Sequence, residues 1–310
     1  MTTLPASGQN SAAKVGFLAS VGAFLIWGLL APVYFKLLDG VGALEIVAHR
    51  VVWTVLLVGI VVLVRMGPAG FIRSIGTWQR LGILVATTAL ISTNWSIFIW
   101  AVVNNQLLQS SLGYYINPLV NVLLGVVFLK ERLSRRQSLA VLLAALGVTG
   151  LVVQHGAMPW IALSLATTFG FYGLLRKKVL IDALPGLVVE TGLLVPVALG
   201  YLLWLGPAGS FASQGIGHDL MLVLSGPVTA IPLLLFVVGA TRLKLSTIGL
   251  LQYIGPTGQL LLGVLVYGES FTTGHAVAFA CIWLALILYS SEAFTTRHTP
   301  HDNKKSVAAD

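Results

Sequence analysis

Ionisable side chains interrupt the apolar sequence at two places where they could bind a solute or exchange protons. Glu45, His49 and Arg50 lie within six residues, and Glu45 and His49 are four positions apart, on one face of a helix. Glu190 stands alone in another apolar stretch. Charged groups are costly in hydrocarbon, so those retained there tend to face a cavity or each other. We therefore expect Glu190, Glu45 and His49 to couple protons, and Arg50 to bind a carboxylate.

Each of these groups also has a structural alternative. Glu45 could form a clamp with Arg50 or His49 near the membrane surface. Glu190 could neutralise one of the basic residues that end the preceding stretch, which are Arg176, Lys177 and Lys178. The sequence leaves both alternatives open.

Two further apolar stretches are rich in amides, hydroxyls and aromatic rings. At membrane depth such groups either join helices or contact a polar solute. Asn117 and Asn121 are one helical turn apart, as in the wall of a cavity. With Arg50, the predicted substrate-binding residues are Asn94, Trp95, Tyr114, Tyr115, Asn117, Asn121 and Gln259.

The elements that carry these residues must be helices in a lipid bilayer. Of the 310 residues, 57% are hydrophobic and 9% are charged, with a mean hydropathy of +0.92. A helical span needs about 20 apolar residues. The predicted spans are 15–38, 43–64, 81–103, 107–129, 137–154, 158–175, 184–205, 219–240, 245–267 and 274–294. This pattern predicts an all-α integral membrane protein with ten transmembrane helices, and lipid as its main partner.

Basic residues predict the orientation of the chain. If the N-terminus is cytoplasmic, every Lys and Arg except Lys36 and Arg50 falls in a cytoplasmic segment. The net charge of +8 is then a topology signal, and no nucleic-acid partner is expected. We predict a multi-pass protein of the bacterial inner membrane whose tails, residues 1–14 (disordered) and 295–310, are both cytoplasmic.

The chain contains an internal repeat. A shift of 138 residues lays Tyr115–Pro118 onto Tyr253–Pro256, and eight of the seventeen positions that begin there are identical. We therefore divide the chain into five-helix halves at 15–154 and 158–294. Because five is odd, the halves have inverted topology, as in many secondary transporters. Two prolines and two glycines at matching positions are predicted helix kinks, either lining a cavity or inherited for packing: Pro118, Pro256, Gly125 and Gly263.

Six short segments resemble the RarD branch of the EamA transporters, in the drug/metabolite transporter superfamily. They are Trp27-Gly28, Pro32–Lys36, Glu45–Trp53, Thr93–Trp95, Leu112–Leu119 and Lys130–Leu133. The resemblance covers about residues 15 to 292. It implies ten helices in the inner membrane, cytoplasmic termini and a role as a secondary carrier that exports metabolites.

The sequence lacks the motifs that mark several other classes of protein. The sequence has no phosphate-binding Gly-rich loop, no metal-binding or nucleophile motif, and a single cysteine, Cys281. We therefore expect no enzyme activity, no cofactor and no metal. Small residues in the fifth span (Ala140, Ala144, Gly147 and Gly150) predict close packing, within the monomer or in a homodimer. We expect packing within the monomer.

The function predicted from these patterns is secondary transport without ATP. We expect proton-coupled export of a small metabolite, amino acid or drug-like solute. The alternative is a membrane sensor or assembly partner that binds a ligand without moving it. Binding without flux would distinguish that alternative.

Overall fold

A computed structural model of the chain describes residues 6–130, 133–155, 158–179, 181–240, 242–243 and 251–295. Within these ranges the regular structure is helical and contains no strand. Five described helices are long and apolar enough to cross a membrane, and a sixth is added if a bent pair, Leu107–Asn117 and Leu119–Phe128, is one span. Three shorter apolar helices are Ser138–Val153, Ile254–Val266 and Thr273–Leu288. The chain is an all-α, multi-pass membrane protein, and the count of ten spans stays a prediction.

Most helix bounds follow the predicted spans closely. The first helix is an exception, because it begins at Ala6, within the tail that was predicted to be disordered and nine residues before the predicted span. The described helices are α1 (Ala6–Leu25), α2 (Ala31–Lys36), α3 (Ala43–Ile75), α4 (Trp78–Val103), α5 (Leu107–Leu129), α6 (Arg135–His155), α7 (Trp160–Val179), α8 (Ala183–Leu205), α9 (Ile216–Ala240), α10 (Ile254–Leu261) and α11 (Thr273–Thr295). One π-helical turn, Ile26–Leu30, joins α1 to α2, and another, Leu262–Val266, continues α10. The predicted span at 245–267 begins outside the described residues.

Helix α3 is longer than the span predicted at 43–64. Gly67 has φ 67° and ψ 168°, which is not helical, and Pro68 follows it. Positive φ is readily adopted only by glycine, and proline cannot donate a helical hydrogen bond. The apolar part of α3 therefore ends at this break, close to the predicted boundary.

The chain divides into two compact units. The first comprises Met1–Leu124 and Pro159–Ser270, and the second Gly125–Met158 and Phe271–Asp310. In the second unit α6 packs against α11. A Cβ on Gly147 would lie 2.7 Å from the Cys281 Cβ, so only glycine allows this approach. Ala140, Ala144 and Gly147 are thus used for packing within the chain, whereas Gly150 is exposed, and a homodimer stays a prediction.

In the first unit the helix contacts occur in matching pairs. Helix α1 packs on α9, and α7 packs on α4. Helix α3 packs on α9, and α8 packs on α4. Helices α1, α3 and α4 of the first half correspond to α7, α8 and α9 of the second. Each of these contacts joins the two halves, and exchanging the halves turns one contact of a pair into the other. This is the arrangement expected of inverted repeats.

Two glycines make equivalent close contacts in this unit. A Cβ on Gly28 would lie 2.6 Å from the carbonyl oxygen of Gly255, so a larger residue would push the two backbones apart. A Cβ on Gly170 would lie 2.9 Å from the Val120 side chain. Gly28 follows the first helix of one half and Gly170 lies in the first helix of the other, and each glycine faces the proline-containing segment of the opposite half.

The predicted kink residues lie at irregular parts of their helices. Helix α5 bends by 40° between Asn117 and Leu119, where Pro118 interrupts it, and Gly125 follows in its last two turns. Pro256 lies in the first turn of α10, where a missing N–H costs no helical hydrogen bond. Gly263 lies in the π-helical turn that continues α10. Their roles as hinges stay predictions.

Candidate functional site

The candidate site is built within the first unit by α2, α3, α4, α5, α7 and α8. These helices share an apolar core that contains Phe35, Ile46, Phe98 and Leu165. Aromatic rings of α4 and α5, Trp95 and Tyr114, pack against this core. Rigid helices on all sides hold the polar side chains that follow in fixed positions.

Glu190 is a buried carboxylate held from three helices. It is the eighth residue of α8, about 10 Å from the start of the helix. Its side chain is 1% exposed, and its Oε1 accepts a hydrogen bond of 2.7 Å from the Thr87 hydroxyl of α4. Its Oε2 accepts one of 3.2 Å from the Tyr172 hydroxyl of α7. The site can therefore hold a charged carboxylate away from water.

Arg176 supplies the positive charge beside Glu190. Its Nη1 atom lies 3.9 Å from the Glu190 Oε1 atom, and its side chain is 15% exposed. The same Nη1 atom forms no hydrogen bond among the described residues. Charge attraction, with no direct N–H···O bond, therefore joins the pair. Of the three basic partners proposed for Glu190, this is the one that the structure brings to it, since nothing is described of the Lys177 side chain and no ion pair is described for Lys178.

Arg50 lies among aromatic rings. It is the eighth residue of α3 and is 8% exposed. Its Cζ atom lies 4.2 Å from the centre of the Trp95 ring and 5.7 Å from that of Phe35. Its Nε atom has no hydrogen-bond partner, and no carboxylate pairs with it, in the described part of the chain. Cation–π attraction of about 2 kcal/mol per desolvated ring offsets part of the cost of burying it.

Glu45 is bound to the loop that follows α8. It is 5% exposed, and it accepts hydrogen bonds from the Ser210 backbone N–H at 2.5 Å and the Ser210 hydroxyl at 3.2 Å. No ion pair with Arg50 is described, although that clamp was one alternative for this group. Glu45 therefore ties the start of α3 to the end of α8.

His49 lies beside this contact. It stacks on Phe211 with ring centres 5.2 Å apart, and its Nδ1 atom accepts a 3.4 Å hydrogen bond from the Trp53 indole. When the ring is neutral, its proton is then on Nε2. That Nε2 atom is buried and has no partner among the described residues. His49 thus has one donor available to a solute or a water molecule.

Asn94 is a buried amide that joins three helices. Its Nδ2 donates to the Leu165 carbonyl at 3.0 Å and to the Thr168 hydroxyl at 2.9 Å. Its Oδ1 accepts a 3.3 Å bond from the Tyr114 hydroxyl. Asn94 therefore fixes Tyr114 beside the Arg50 aromatic rings, and all of its hydrogen-bonding groups are used.

The remaining amides mainly join helices in this conformation. Asn117 donates to the Ala166 carbonyl at 3.3 Å and accepts a 2.9 Å bond from Asn121. Gln259 accepts a 3.1 Å bond from the Ser110 hydroxyl of α5. The structure thus brings Asn117 and Asn121 together, whereas Gln259 contacts a different residue of α5, Ser110.

Tyr115 connects α5 to the segment at the start of α10. Its hydroxyl is hydrogen-bonded to that of Thr257, and its ring stacks on Tyr253 at 6.1 Å. Tyr115 and Tyr253 are the residues that the repeat alignment made equivalent. Their contact lies where the two halves meet within the first unit.

Five rings of four helices form what we call the aromatic row. Successive ring centres in the row are 5.9 to 6.3 Å apart. The row consists of Phe35, Phe98, Tyr114, Phe169 and Tyr172. One end lies under Arg50, and the Tyr172 end donates to Glu190. Three of the four contacts in the row are edge-to-face and the fourth is tilted, so the row links the two charged groups by a continuous set of packed aromatic rings.

Sequence reasoning missed several residues of this site. Thr87, Tyr172 and Ser210 were not singled out, although Thr87 precedes a second threonine in an apolar stretch. Glu269 was not a candidate either, yet it accepts hydrogen bonds from the backbone N–H groups of Leu107 at 2.6 Å and Leu108 at 2.7 Å. It therefore caps the start of α5, whereas its repeat equivalent, Glu131, lies outside the described residues.

Metal ligands are not clustered in the described ranges. No group of three or more His, Cys, Asp or Glu side chains there could hold a metal ion. The polar groups that could contact a solute are an arginine, a histidine nitrogen and aromatic hydroxyls. The arginine can attract an anion, and of these groups the histidine is the one that ordinarily exchanges protons near neutral pH.

Comparison with known proteins identifies relatives over nearly the whole chain. The EamA-like transporter family matches residues 14–153. An uncharacterized transporter of Vibrio cholerae is 47% identical over 92% of this chain and 95% of its own length. Protein RarD of Escherichia coli is 44% identical over 92% of this chain and 97% of its own length. A solved crystal structure superposes with a TM-score of 0.58 at 21% identity, covering 92% of this chain and 99% of that one, which supports the fold alone.

Proposed function

The chain belongs to the RarD branch of the EamA-like transporter family and is a membrane transporter, and we propose that it exports small solutes in exchange for protons. Two inverted five-helix halves, 15–154 and 158–294, alternately open a central cavity to each side of the membrane. No ATP is used. The paired helix contacts of the first unit support this division into halves.

The observation that carries the proton coupling is the setting of Glu190. A carboxylate buried in a membrane is expensive when charged, unless it is paired and hydrogen-bonded. Glu190 has both kinds of partner: Arg176 at 3.9 Å, and the hydroxyls of Thr87 and Tyr172. When Glu190 binds a proton, its attraction to Arg176 is lost. A proton therefore changes how strongly α8 is held to α7.

Glu45 and His49 are the second pair of coupling candidates. Glu45 holds the loop after α8, and His49 lies one turn further along α3 with a free Nε2 atom. Protonation of Glu45 would weaken its hydrogen bond from the Ser210 N–H. The proposal assigns Glu190 to the membrane side nearest the basic loops and Glu45 to the opposite side, so that each side has a proton-sensitive contact.

The proposed location is the bacterial inner membrane with both termini cytoplasmic. The concentration of Lys and Arg in alternate loops supports this orientation. Single cysteines placed in the two tails of a Cys281→Ser protein should react with an impermeant thiol reagent only after the membrane is opened. Reaction in intact spheroplasts would overturn the orientation.

The export proposal is tested by mass spectrometry of small molecules in the medium and the cytoplasm. Cells express the wild type, Glu190→Gln, or Asp39→Asn, an exposed carboxylate outside the helices. A compound enriched in the medium by the wild type and Asp39→Asn, more strongly at acidic external pH, is the expected result. Identical profiles for the wild type and Glu190→Gln would refute the coupling role, and intracellular enrichment would indicate import.

A further inference from the structure

Arg50 is a buried cation that faces no acid in the part of the chain that the structure describes. Its guanidinium lies over Trp95 and Phe35, and its Nε atom forms no hydrogen bond there. Aromatic faces attract a cation, but they do not neutralise it. The site therefore keeps a positive charge that an anion from outside the protein can neutralise.

The two buried carboxylates among the described residues are already engaged. Glu45 accepts two hydrogen bonds from Ser210, and Glu190 is held beside Arg176. Neither forms an ion pair with Arg50. The site has one cation and, among the described residues, no acid left over for a positively charged group of a ligand.

The surroundings of Arg50 are aromatic and largely apolar. The aromatic row begins under the guanidinium at Phe35 and continues through Phe98 to Tyr114. Trp95 covers the guanidinium at 4.2 Å. Such surroundings favour an apolar or aromatic body attached to the anionic group.

We propose that the substrate of this transporter is an organic monoanion, bound by its carboxylate to Arg50 with its apolar body against the aromatic row. A planar guanidinium can hold a carboxylate by two parallel hydrogen bonds. The proposal rests on the transport function proposed above, because a transporter must expose Arg50 to one side of the membrane during its cycle.

Charge balance makes the site selective. A zwitterionic amino acid brings an ammonium group that Arg50 repels and that no acid of the site receives. An unpaired polar group in a buried site costs a large factor in affinity. We expect a monocarboxylate to bind about 100-fold more tightly than the amino acid of the same shape. The site thus excludes amino acids, one of the solute classes that the sequence left open.

The test uses three ligands that differ mainly in charge. Binding of phenylacetate, phenylalanine and phenethylamine is measured by calorimetry on the protein in phosphatidylcholine nanodiscs. These lipids carry no net charge, so they do not compete for Arg50. The expected result is saturable binding of phenylacetate, with phenylalanine about 100-fold weaker and no binding of phenethylamine.

Variants connect the binding to Arg50. Arg50→Gln should abolish phenylacetate binding, and Arg50→Lys should weaken it about tenfold, because a lysine keeps the charge but loses the planar fork. The matched control is Arg73→Gln, an exposed arginine on the same helix, which should bind like the wild type. Thermal unfolding shows that each variant is folded.

Four results overturn the proposal. The first is equal affinity for phenylalanine and phenylacetate, and the second is unchanged phenylacetate binding by folded Arg50→Gln. The third is that no probe binds saturably below about 10 mM. The fourth is that phosphatidylglycerol competes with phenylacetate at equal concentration. The last result would show that Arg50 holds a lipid headgroup.

Failure of this inference is distinguishable from failure of transport. Phenylacetate binding without export of any compound, in the mass spectrometry experiment above, would contradict the transporter and leave the anion site standing. Export of neutral or cationic compounds only, together with no phenylacetate binding, would contradict the anion site and leave the transporter standing.

Discussion

Arg50 and Glu190 lie equally far from the starts of two helices that the repeat makes equivalent, yet their surroundings are opposite. Each is the eighth residue of its helix, α3 or α8, and each is buried. Glu190 has an ion-pair partner and two hydroxyl donors. Arg50 has aromatic rings and no acid among the described residues.

The difference separates two uses of a buried charge. A charge whose partners come from the protein can link helices, and its protonation can release them. A charge without a protein partner depends on a ligand for neutralisation. The account therefore assigns proton coupling to Glu190 and substrate binding to Arg50. Substitutions at the two positions should therefore differ in their effect on stability, with a large loss at Glu190 and little change at Arg50.

The largest expected effect follows the removal of Glu190. Glu190→Leu leaves Arg176 beside an apolar side chain, and breaking a buried pair in this way costs about 3 to 5 kcal/mol. Thermal unfolding in detergent measures the loss. The double variant Glu190→Leu with Arg176→Leu should recover most of it. If the double variant is no more stable than the single one, the two residues are not coupled.

A smaller effect is expected at the Arg50 site when its covering ring is removed. Trp95→Leu loses a cation–π attraction of about 2 kcal/mol. The double-mutant cycle with Arg50→Met should give a coupling energy of this size between the two residues. Additive effects of the two substitutions would show that the ring does not stabilise the guanidinium.

Ser210→Ala tests the Glu45 contact and should cost about 1 kcal/mol. The hydroxyl donor is lost, but the shorter bond from the Ser210 backbone N–H remains. Substrate export should keep its dependence on external pH. A loss as large as that of Glu190→Leu would mean that Glu45, through this loop, is the main structural link.

The smallest effect on stability is expected for Arg50→Met. A methionine of similar length removes the cost of burying a charge and also removes the cation–π contacts, so the net change should stay within about 1 kcal/mol. Export should nevertheless be lost. A destabilisation above about 3 kcal/mol would place Arg50 in the same class as Glu190.

The sequence predicted the helices well because span length and apolar composition are local properties. The predicted span at 184–205 and helix α8, Ala183–Leu205, differ by one residue at the start. It also marked Glu190 and Arg50, since charges within apolar stretches are conspicuous in any single sequence.

The partners of those charges could not be read from the sequence. Thr87 is 103 residues from Glu190, and Trp95 and Phe35 lie on other helices than Arg50. These contacts depend on how each helix is rotated about its axis. Helices that are apolar on every face give no periodic signal for that rotation. For this reason Arg176 was one of three alternatives, and the aromatic row was not foreseen.

Counterflow of solute and protons through Glu190 is the central claim, and export from proteoliposomes tests it most directly. Vesicles containing the wild type or Glu190→Gln are loaded with a cytoplasmic small-molecule extract. The external medium is then made acidic or kept at the pH of the vesicle interior. Mass spectrometry identifies the compounds that leave. The account predicts organic anions released by the wild type, faster into the acidic medium, and at least about tenfold more slowly by Glu190→Gln. Release by Glu190→Gln at the wild-type rate, with the same dependence on pH, would contradict it.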